Sequence, residues 1–535
     1  MAREWERECR LAGGVGARSA LACLKRKKEH FSYAQNAIEH HAAEVAEFVH
    51  NHTVVESNRT GSMWIPRQLA GTGPRYMAIV AALAEDIEQG EIRPGDRLMP
   101  QRDLAHRLGV SVGTVVRAYR VAEQRGLIGG EVGRGTYVKG LGGNSEQAFF
   151  GDGARSSEID ETTPVDFSLN VSPLGQHVLR LSEGLRALSK SGELGDLVRY
   201  NPHQGVLRHR RSIASWISQA NDGRFSPSEH NIAIFNGAQH ALATIVNSLL
   251  SSGDVLLTEQ VTYAGIKAVG SDQRLKLHGV EMDENGICPD ALLSACEKTG
   301  ARVLYTIPTL HNPTGVTMSA ERRKAIAKIA LEHDLMILED DVYGFLAKGA
   351  PSPIAKLLPE QTYYIGGFSK VFAPGIRVGY AVVPSATLER VLTGIRATNW
   401  MTSPLLVDVI SKWIDDGVGA EVVRERRAEA RSRCNLAIEI LGNWLNAETY
   451  KHHASFHLWV RAPEGMPADA FAAIARSQGI IVTPPRAVEV APTQAQSFRV
   501  SVGGVQNERQ LQDGLERLRT VLEDPGVALQ AWSIV

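Results

Sequence analysis

The sequence is poor in the features that mark secreted, metal-binding or membrane proteins. Its 535 residues include five cysteines, and none of them stands in a C-x-x-C pair. This spacing argues against a zinc site or a disulfide framework, so no metal is expected and a reducing compartment fits. No run reaches the ~20 apolar residues that a membrane helix needs, which argues against a membrane partner. The first residues lack the positive-then-apolar pattern of a secretory signal, so we expect a cytoplasmic protein.

An excess of charge of one sign is also missing, since the formal net charge is −1. Overall neutrality nevertheless hides a local imbalance. The stretch from Arg97 to Arg134 holds seven arginines and three acidic residues, a net of +4. Charge therefore has to be interpreted segment by segment, and this segment has the cations that a phosphate backbone requires.

Composition shifts divide the chain into four segments. Residues 1–72 form an N-terminal extension whose pattern indicates no fold. Residues 73–140 are compactly patterned, and residues 141–164, rich in Gly, Ser and acids, have the composition of a linker. From 165 to 535, short apolar runs alternate with helical segments, which predicts a mostly parallel α/β sheet. A smaller α+β part is expected from about residue 420.

Helical periodicity predicts three helices in the second segment. RYMAIVAALAEDIEQG places Ile79, Leu83 and Ile87 on one face. PQRDLAHRLG begins with proline and ends with glycine, and SVGTVVRAYRVAEQRG opens with Ser111 as a candidate N-cap. The following GLIGGEVGRGTYV is typical of two short strands around a turn. Two interpretations fit: a winged helix-turn-helix, whose second recognition helix enters a DNA major groove, or a small helical domain with an arginine-rich surface.

The order and spacing of residues in this segment favour the first interpretation. RLMPQRDLAHRLGVSVGTVVRAYRVAEQRGLIGGEVGRGTYV closely resembles the DNA-binding head of the GntR family, and the resemblance covers nearly all of residues 75–138. It implies a dimer that binds paired half-sites of a double-stranded DNA operator. It also implies that five residues face DNA: Arg102, Ser111, Thr114, Arg117 and Arg134.

A lysine in the second half of the chain suggests a different chemistry. GGFSKVFAPGIRVGY contains Lys370, and a lysine can form a Schiff base with the aldehyde of pyridoxal 5'-phosphate. Such a site needs a phosphate cup, a carboxylate at the ring nitrogen, a donor to the ring hydroxyl and an aromatic lid. The candidates, in that order, are Gly237, Ala238 and Gln239 with Ser369 and Arg377, then Asp340, Asn312 and Tyr263.

In this order the motifs closely resemble fold-type-I pyridoxal-phosphate enzymes of the aspartate aminotransferase class, from about residue 166 to 502. The resemblance implies that Lys370 is the catalytic lysine that forms the internal aldimine. It implies that Asp340 pairs with the pyridine nitrogen, that Tyr343 joins Asn312 as a donor to the ring oxygen, and that Tyr263 stacks on the ring.

The same resemblance implies three residues on the substrate side. Arg499 grips a substrate carboxylate, Tyr200 is contributed across a homodimer, and Asn170 lies in the substrate-side loop. Two positions depart from the family pattern. Gly367 stands where a hydroxyl residue is usual, and Ser455 stands where glycine is frequent.

A GntR-type head fused to an aminotransferase-like body resembles the MocR subfamily of bacterial transcription regulators. The implied architecture is multidomain: a winged helix-turn-helix (α+β), then an α/β fold of pyridoxal-phosphate-dependent transferase type I with a smaller α+β C-terminal subdomain. The implied function is sensing of a small amine or amino-acid effector through aldimine exchange at Lys370. Two other functions fit the same residues: a working aminotransferase with an attached DNA-binding head, and a DNA-binding protein whose body only dimerises. Whether transamination turns over is open at this stage.

Overall fold

The computed structural model covers the chain in separate stretches. The residues it describes are 64–66, 75–88, 91–92, 96–124, 127–131, 135–138, 164–173, 177–490, 496–505 and 507–525. Arg134 and the predicted linker, except for its last residue, lie outside the described residues. The chain divides into two compact units, Met1–Asn144 and Ser145–Val535.

The first unit contains three helices followed by a hairpin. Its elements are α1 (Arg75–Glu88), α2 (Gln101–Leu108), α3 (Val112–Gln124), β1 (Ile128–Glu131) and β2 (Gly135–Val138). The predicted apolar face of α1 is buried, and α2 ends at Gly109, whose φ of 62° suits a glycine C-cap. The strands β1 and β2 pair antiparallel. This order confirms the predicted winged helix-turn-helix fold.

The second unit alternates strands with helices, as its apolar runs predict. Its strands are β3 (Val165–Asp166), β4 (Ile232–Phe235), β5 (Val255–Glu259), β6 (Lys276–Val280), β7 (Met282–Asp283), β8 (Gly286–Ile287), β9 (Val303–Thr306), β10 (Met336–Asp340), β11 (Thr362–Gly367), β12 (Gly379–Val382), β13 (His457–Arg461), β14 (Ile480–Ile481) and β15 (Ser497–Ser501). Its helices are α4 (His177–Ser189), α5 (Leu194–Leu197), α6 (Leu207–Ala220), α7 (Ala238–Leu249), α8 (Ala264–Asp272), α9 (Pro289–Thr299), α10 (Ala320–Glu332), α11 (Ile354–Leu357), α12 (Leu388–Thr398), α13 (Pro404–Asp415), α14 (Val418–Leu441), α15 (Ala468–Ser477) and α16 (Glu508–Glu523).

Seven of these strands form one mixed sheet, in the order β4-β12-β11-β10-β9-β5-β6. Only β12 runs against its neighbours within this sheet. Every residue of β4 and β9 is buried, which explains their continuous apolar runs, because helices cover both faces of such a sheet. The carboxyl ends of the parallel strands meet at one edge, where ligands bind in open α/β sheets. The sequence predicted this fold class correctly.

A smaller part combines the C-terminal elements with a strand from the start of the unit. The antiparallel pair β13–β15 and the long helix α14 belong to it, as predicted. The strand β14, however, pairs in parallel with β3 rather than with β13 or β15. The N–H of Phe167 continues this pairing by donating to the carbonyl of Ile481 at 2.7 Å. Residues next to the predicted linker thus pair with a strand of the C-terminal part.

Candidate cofactor and effector site

Lys370 lies in the loop after β11, at the edge where the parallel strands end. It projects into a cavity of about 130 Å³ that Asp340, Tyr263 and Asn312 also line. Its Nζ donates a hydrogen bond to the backbone carbonyl of Asn170. The cavity brings Lys370 together with most of the predicted cofactor residues, namely Ala238, Gln239, Tyr263, Asn312, Asp340, Tyr343, Ser369 and Arg377.

The ammonium group of Lys370 is destabilised by its surroundings. Burial lowers its pKa to about 8, and the positive charges of Arg499 and Arg377 act in the same direction. The carboxylate of Asp340 opposes them. A lysine with this pKa is partly neutral near physiological pH, as attack on an aldehyde requires.

The pH dependence of cofactor uptake provides a test of this environment. We expect the rate at which cofactor-free protein binds pyridoxal phosphate to rise with pH, with a midpoint near 8. Only the deprotonated amine attacks, and its fraction grows as pH passes the pKa. Stopped-flow absorbance from about pH 6 to about pH 10 measures this profile. A midpoint close to the ordinary lysine value of 10.5 would contradict the assignment.

Asp340 is the last residue of β10, and it lines the cavity. Its carboxylate accepts the O–H of Tyr305 at 2.7 Å and the N–H of Val342 at 3.3 Å. Burial raises the pKa of Asp340 to about 6, while the bond from Tyr305 lowers it. The group is therefore ionised at neutral pH, in a buried site where a protonated pyridine would compensate its charge. Sequence reasoning missed Tyr305, because it lies 35 residues from Asp340 along the chain.

Two amides converge on the phenol oxygen of Tyr343. Asn170 Nδ2 donates to it at 2.8 Å and Asn312 Nδ2 at 3.4 Å. Because both amides donate, the phenol's own hydrogen is the donor that Tyr343 offers to the cavity. Such a donor suits the ring oxygen of the expected cofactor.

Arg499 lies on β15 beside the cavity, where it bonds to the cavity-lining Asn312 without lining the cavity itself. Its side chain is 3% exposed. Its Nη1 donates to Asn312 Oδ1 at 2.9 Å, and its Nη2 donates to the carbonyl of Ser168 at 2.6 Å and to Thr483 Oγ1 at 3.0 Å. A guanidinium held this firmly and placed beside the cavity suits a ligand carboxylate.

The predicted phosphate turn lies between β4 and α7. Gly237 has a φ of 84°, and a Cβ there would lie 2.7 Å from Arg377 Nη2, so the position requires glycine. Ala238 and Gln239 are the first residues of α7. The N–H groups of a first helical turn have no acceptor within the helix and bind anions.

Arg377 and Ser369 are the other two groups of the predicted phosphate cup. The Nη1 of Arg377 donates to Ser369 Oγ at 3.5 Å, and its Nη2 donates to the carbonyl of Asn236 at 3.4 Å. The strand β12 comes close to the turn because Gly379 has no side chain: a Cβ there would lie 2.5 Å from the backbone nitrogen of Ala238. A guanidinium, a hydroxyl and a helix N-terminus together fit a phosphate.

Gly367, the departure in this cup, leaves room for a side chain. A Cβ at Gly367 would lie 3.4 Å from the carbonyl oxygen of Val378 and 3.6 Å from the nitrogen of Ala238, which are ordinary contacts. We expect Gly367→Ser to tighten pyridoxal-phosphate binding about 10-fold, since a hydrogen bond to a charged group contributes about 1.5 kcal/mol. Gly367→Ala adds the methylene alone and is the matched control. Equilibrium dialysis of the cofactor measures both; equal affinities for the two variants would contradict the expectation.

Two predicted aromatic residues differ in their placement. Tyr263, the N-cap of α8, lines the cavity, and burial raises its pKa to about 12. Tyr200 is 85% exposed and lies 6.0 Å from the ring of Trp400, away from the cavity of its own chain. Only Tyr263 is therefore brought to the site within one chain.

His457, which sequence reasoning did not select, belongs to the site. Its Nε2 lies 3.0 Å from the carbonyl of His311, so this nitrogen carries the hydrogen. Its Nδ1 then accepts from Asn170 Nδ2 at 3.1 Å and from Ser455 Oγ at 2.9 Å. Burial lowers the pKa of His457 to about 3, so the ring is neutral. Ser455, noted as a departure from the family pattern, thus supports the histidine that holds Asn170.

The predicted DNA-facing arginines are exposed where the structure describes them. Arg102 lies on α2 and Arg117 on α3. The guanidinium carbon of Arg117 lies 4.6 Å from the ring centroid of Tyr76, a cation–π contact that fixes its stem. Arg134 lies outside the described residues.

Ser111 and Thr114 form the N-terminal cap of α3. The N–H of Thr114 donates to Ser111 Oγ at 3.2 Å, and the two hydroxyl oxygens lie 2.8 Å apart. Ser111 is exposed, whereas Thr114 is half-buried. The capped end of α3 thus carries hydroxyl groups at its surface, where phosphate or base contacts are made in helix-turn-helix proteins.

Two absences hold for the described residues. No group of three or more His, Cys, Asp or Glu side chains there is placed to hold a metal ion. None of the helices within the same residues is both long and apolar enough to cross a membrane.

Comparisons with known proteins match both units. The family of bacterial regulatory proteins called gntR matches residues 75–138, and aminotransferase class I and II matches residues 162–518. The uncharacterised HTH-type transcriptional regulator YdeF of Bacillus subtilis is 27% identical, over 86% of this chain and 97% of its own. The probable rhizopine catabolism regulatory protein MocR of Rhizobium meliloti is 24% identical, over 77% of this chain and 86% of its own.

The likeness to solved structures concerns the fold of the second unit. Kynurenine aminotransferase of Pyrococcus horikoshii superposes with a TM-score of 0.62 at 23% identity, covering 72% of this chain and 97% of that chain. The aminotransferase match extends over more than half of the chain, and the gntR match coincides with the winged helix-turn-helix. The chain belongs to the class I and II aminotransferase family, and its gntR-type head gives it a domain organisation consistent with the MocR subfamily of transcription regulators.

Proposed function

We propose that this regulator binds pyridoxal phosphate in its aminotransferase-like unit and senses a small amine or amino acid at Lys370. The observation that carries the proposal is the convergence of Lys370, Asp340 and Arg377 on one cavity beside the N-terminus of α7. These three groups match an aldehyde, a ring nitrogen and a phosphate. A body that served only for dimerisation would not need all three around one cavity.

When bound, pyridoxal phosphate supplies an aldehyde that condenses reversibly with primary amines. The residues of this chain hold it in place. Arg377 and Ser369 bind the phosphate, and Asp340 keeps the ring nitrogen protonated. Tyr343 donates to the ring oxygen, and Tyr263 covers the ring.

Arg499 gives the site a preference for effectors that carry a carboxylate. Its guanidinium is fixed beside the cavity by Asn312, Ser168 and Thr483. An amino acid would present its amine to the position of Lys370 and its carboxylate to Arg499. Binding alters DNA affinity only if the effector favours one of two states of the protein.

A homodimer is part of the proposal. Tyr200 is 85% exposed and Trp400 is 50% exposed, and their ring centroids lie 6.0 Å apart; Val198, two residues before Tyr200, is 66% exposed. Large apolar side chains gathered at a surface are typical of an interface. A second copy would cover them and bring Tyr200 to the partner's cavity, and two heads would match paired half-sites.

The direct experiment is a spectral titration of cofactor-loaded protein with a panel of amines, followed by binding to promoter DNA from neighbouring genes. We expect at least one amino acid to change the cofactor spectrum and to change operator affinity about fivefold or more. If every amine that changes the spectrum leaves DNA affinity unaltered, the sensing proposal fails.

A working aminotransferase is the second candidate, because Lys370 with a pKa near 8 can also move a proton at the substrate's α-carbon. Steady turnover with an amino acid and a keto acid, at about 1 to 1000 per second, would favour it. Spectral change without turnover would favour the sensor.

A further inference from the structure

Three residues of the segment 168–173 bond to Lys370 or Arg499: Ser168 to Arg499, and Asn170 and Ser172 to Lys370. We propose that residues 168–173 form a strap that positions Lys370 and changes with its bonding state, with Ser172 and Arg426 as its positioning residues. The inference rests on the proposed function, since it concerns the same lysine. It adds the segment through which a change in the occupancy of the cavity would affect residues outside it.

The strap accepts hydrogen bonds from Lys370 and Arg499 through its carbonyl groups. The carbonyl of Ser168 accepts from Arg499 Nη2 at 2.6 Å, and the carbonyl of Asn170 accepts from Lys370 Nζ. The side chain of Asn170 is fixed separately by Tyr343 and His457. A change at either cation therefore alters the bonding of this backbone.

The strap also holds the main chain of the lysine loop. Ser172, 3% exposed, donates its hydroxyl to the carbonyl of Lys370 at 2.5 Å. The guanidinium of Arg426, 1% exposed on α14, donates to the carbonyls of Val371 at 2.9 Å and Phe372 at 3.1 Å, and to that of Pro173. One buried arginine thus ties the strap, the lysine loop and the long helix of the smaller part into a single unit.

The exchange of amines changes the donor to Asn170. An incoming amine forms a carbon–nitrogen bond to the cofactor's aldehyde carbon and gives up two protons. The bond from that carbon to Lys370 breaks, and Lys370 takes up two protons as a free amine. While Lys370 is bonded to the aldehyde carbon its nitrogen carries at most one N–H, whereas the released amine has two or three N–H groups for the Asn170 carbonyl, and a buried carbonyl that loses its donor is destabilising. The strap is therefore expected to be better ordered when Lys370 is released.

The strap lies close to the predicted linker along the chain. Just before it, β3 pairs with β14, and residue 164 ends the predicted linker to the head. A change in the occupancy of the cavity would be transmitted to the linker through a continuous backbone of about ten residues.

The test uses full-length, cofactor-saturated protein and aminooxyacetate, which displaces lysine from pyridoxal phosphate by forming an oxime. Hydrogen–deuterium exchange is followed in peptides covering 165–173, in wild type, Ser172→Ala and Ser172→Thr. The matched control is Ser212→Ala, which removes another buried serine hydroxyl, bonded to Asp415 at 2.8 Å. The cofactor spectrum verifies complete displacement in each protein.

In wild type and Ser212→Ala, we expect exchange in 165–173 to slow about fivefold on displacement. Ser172→Ala should show less than about half of this response, and Ser172→Thr, which keeps the hydroxyl, should recover it. Unchanged exchange in wild type despite complete displacement would overturn the proposal, as would a wild-type response in Ser172→Ala. Operator affinity, measured in parallel, tests the sensing function alone. If exchange in the strap slows but operator affinity stays constant, the sensing proposal fails and the strap proposal is supported.

Discussion

Lys370→Ala is expected to abolish both the absorbance of the cofactor's bond to the protein and every effect of amines on DNA affinity. Lys370 projects into the cavity, and its Nζ is the amine that Asn170 accepts from. Without it the aldehyde has no covalent partner in the protein, and amine exchange has no leaving group. Absorbance spectra of the reconstituted protein and operator titrations with and without amine measure the two losses.

Two further variants separate chemistry from charge and folding. Lys370→Arg keeps a cation in the cavity but cannot condense with the aldehyde, so it should behave like Lys370→Ala. Lys356→Ala removes an exposed lysine of the same unit and should behave like wild type. An amine response retained in Lys370→Ala would show that the effector acts elsewhere.

Arg499→Ala is expected to weaken amino-acid effectors about 100-fold, while amines that lack a carboxylate lose less than about threefold. Truncating one partner of a buried charge pair costs about 2 to 5 kcal/mol, and 100-fold corresponds to about 2.7 kcal/mol. Spectral titration of cofactor-loaded protein with matched pairs of amino acids and decarboxylated amines measures both.

The contacts of Arg499 require controls for its structural role. It donates to Asn312, Ser168 and Thr483, so the alanine variant also loses these bonds. Arg499→Lys keeps the charge without the planar fork and should still lose about 10-fold. Arg461→Ala, on the adjacent strand β13 and exposed, should leave both classes of amine unaffected. Equal losses for amino acids and simple amines would contradict a carboxylate contact.

Local patterns predicted the elements that carry the site. Apolar runs marked β4, β10 and β11, and turn residues marked the segments after them. Asp340 and Lys370 could be proposed because the first ends such a strand and the second follows one. In a parallel sheet the carboxyl ends of strands share an edge, so positions distant in the chain can be expected together.

Contacts between distant segments were not predictable in the same way. Tyr305 is directed at Asp340 by the register of β9 against β10, which no local pattern encodes. His457 reaches Asn170 and Arg426 reaches Pro173 only because β3 joins the smaller part. A two-residue strand carries too little periodicity to be detected. Sequence reasoning thus predicted most of the side chains that line the cavity and missed those that hold them.

The most direct test of the account is reciprocity between the two units. If an amine at Lys370 changes operator affinity by some factor, linkage requires that saturating operator DNA change the amine's affinity by the same factor. Operator titrations with and without the amine give the first factor, and spectral titrations with and without DNA give the second. The account predicts equal factors of about fivefold or more, both lost in Lys370→Ala. The account would be contradicted if the amine saturated the spectral change while neither operator affinity nor amine affinity changed.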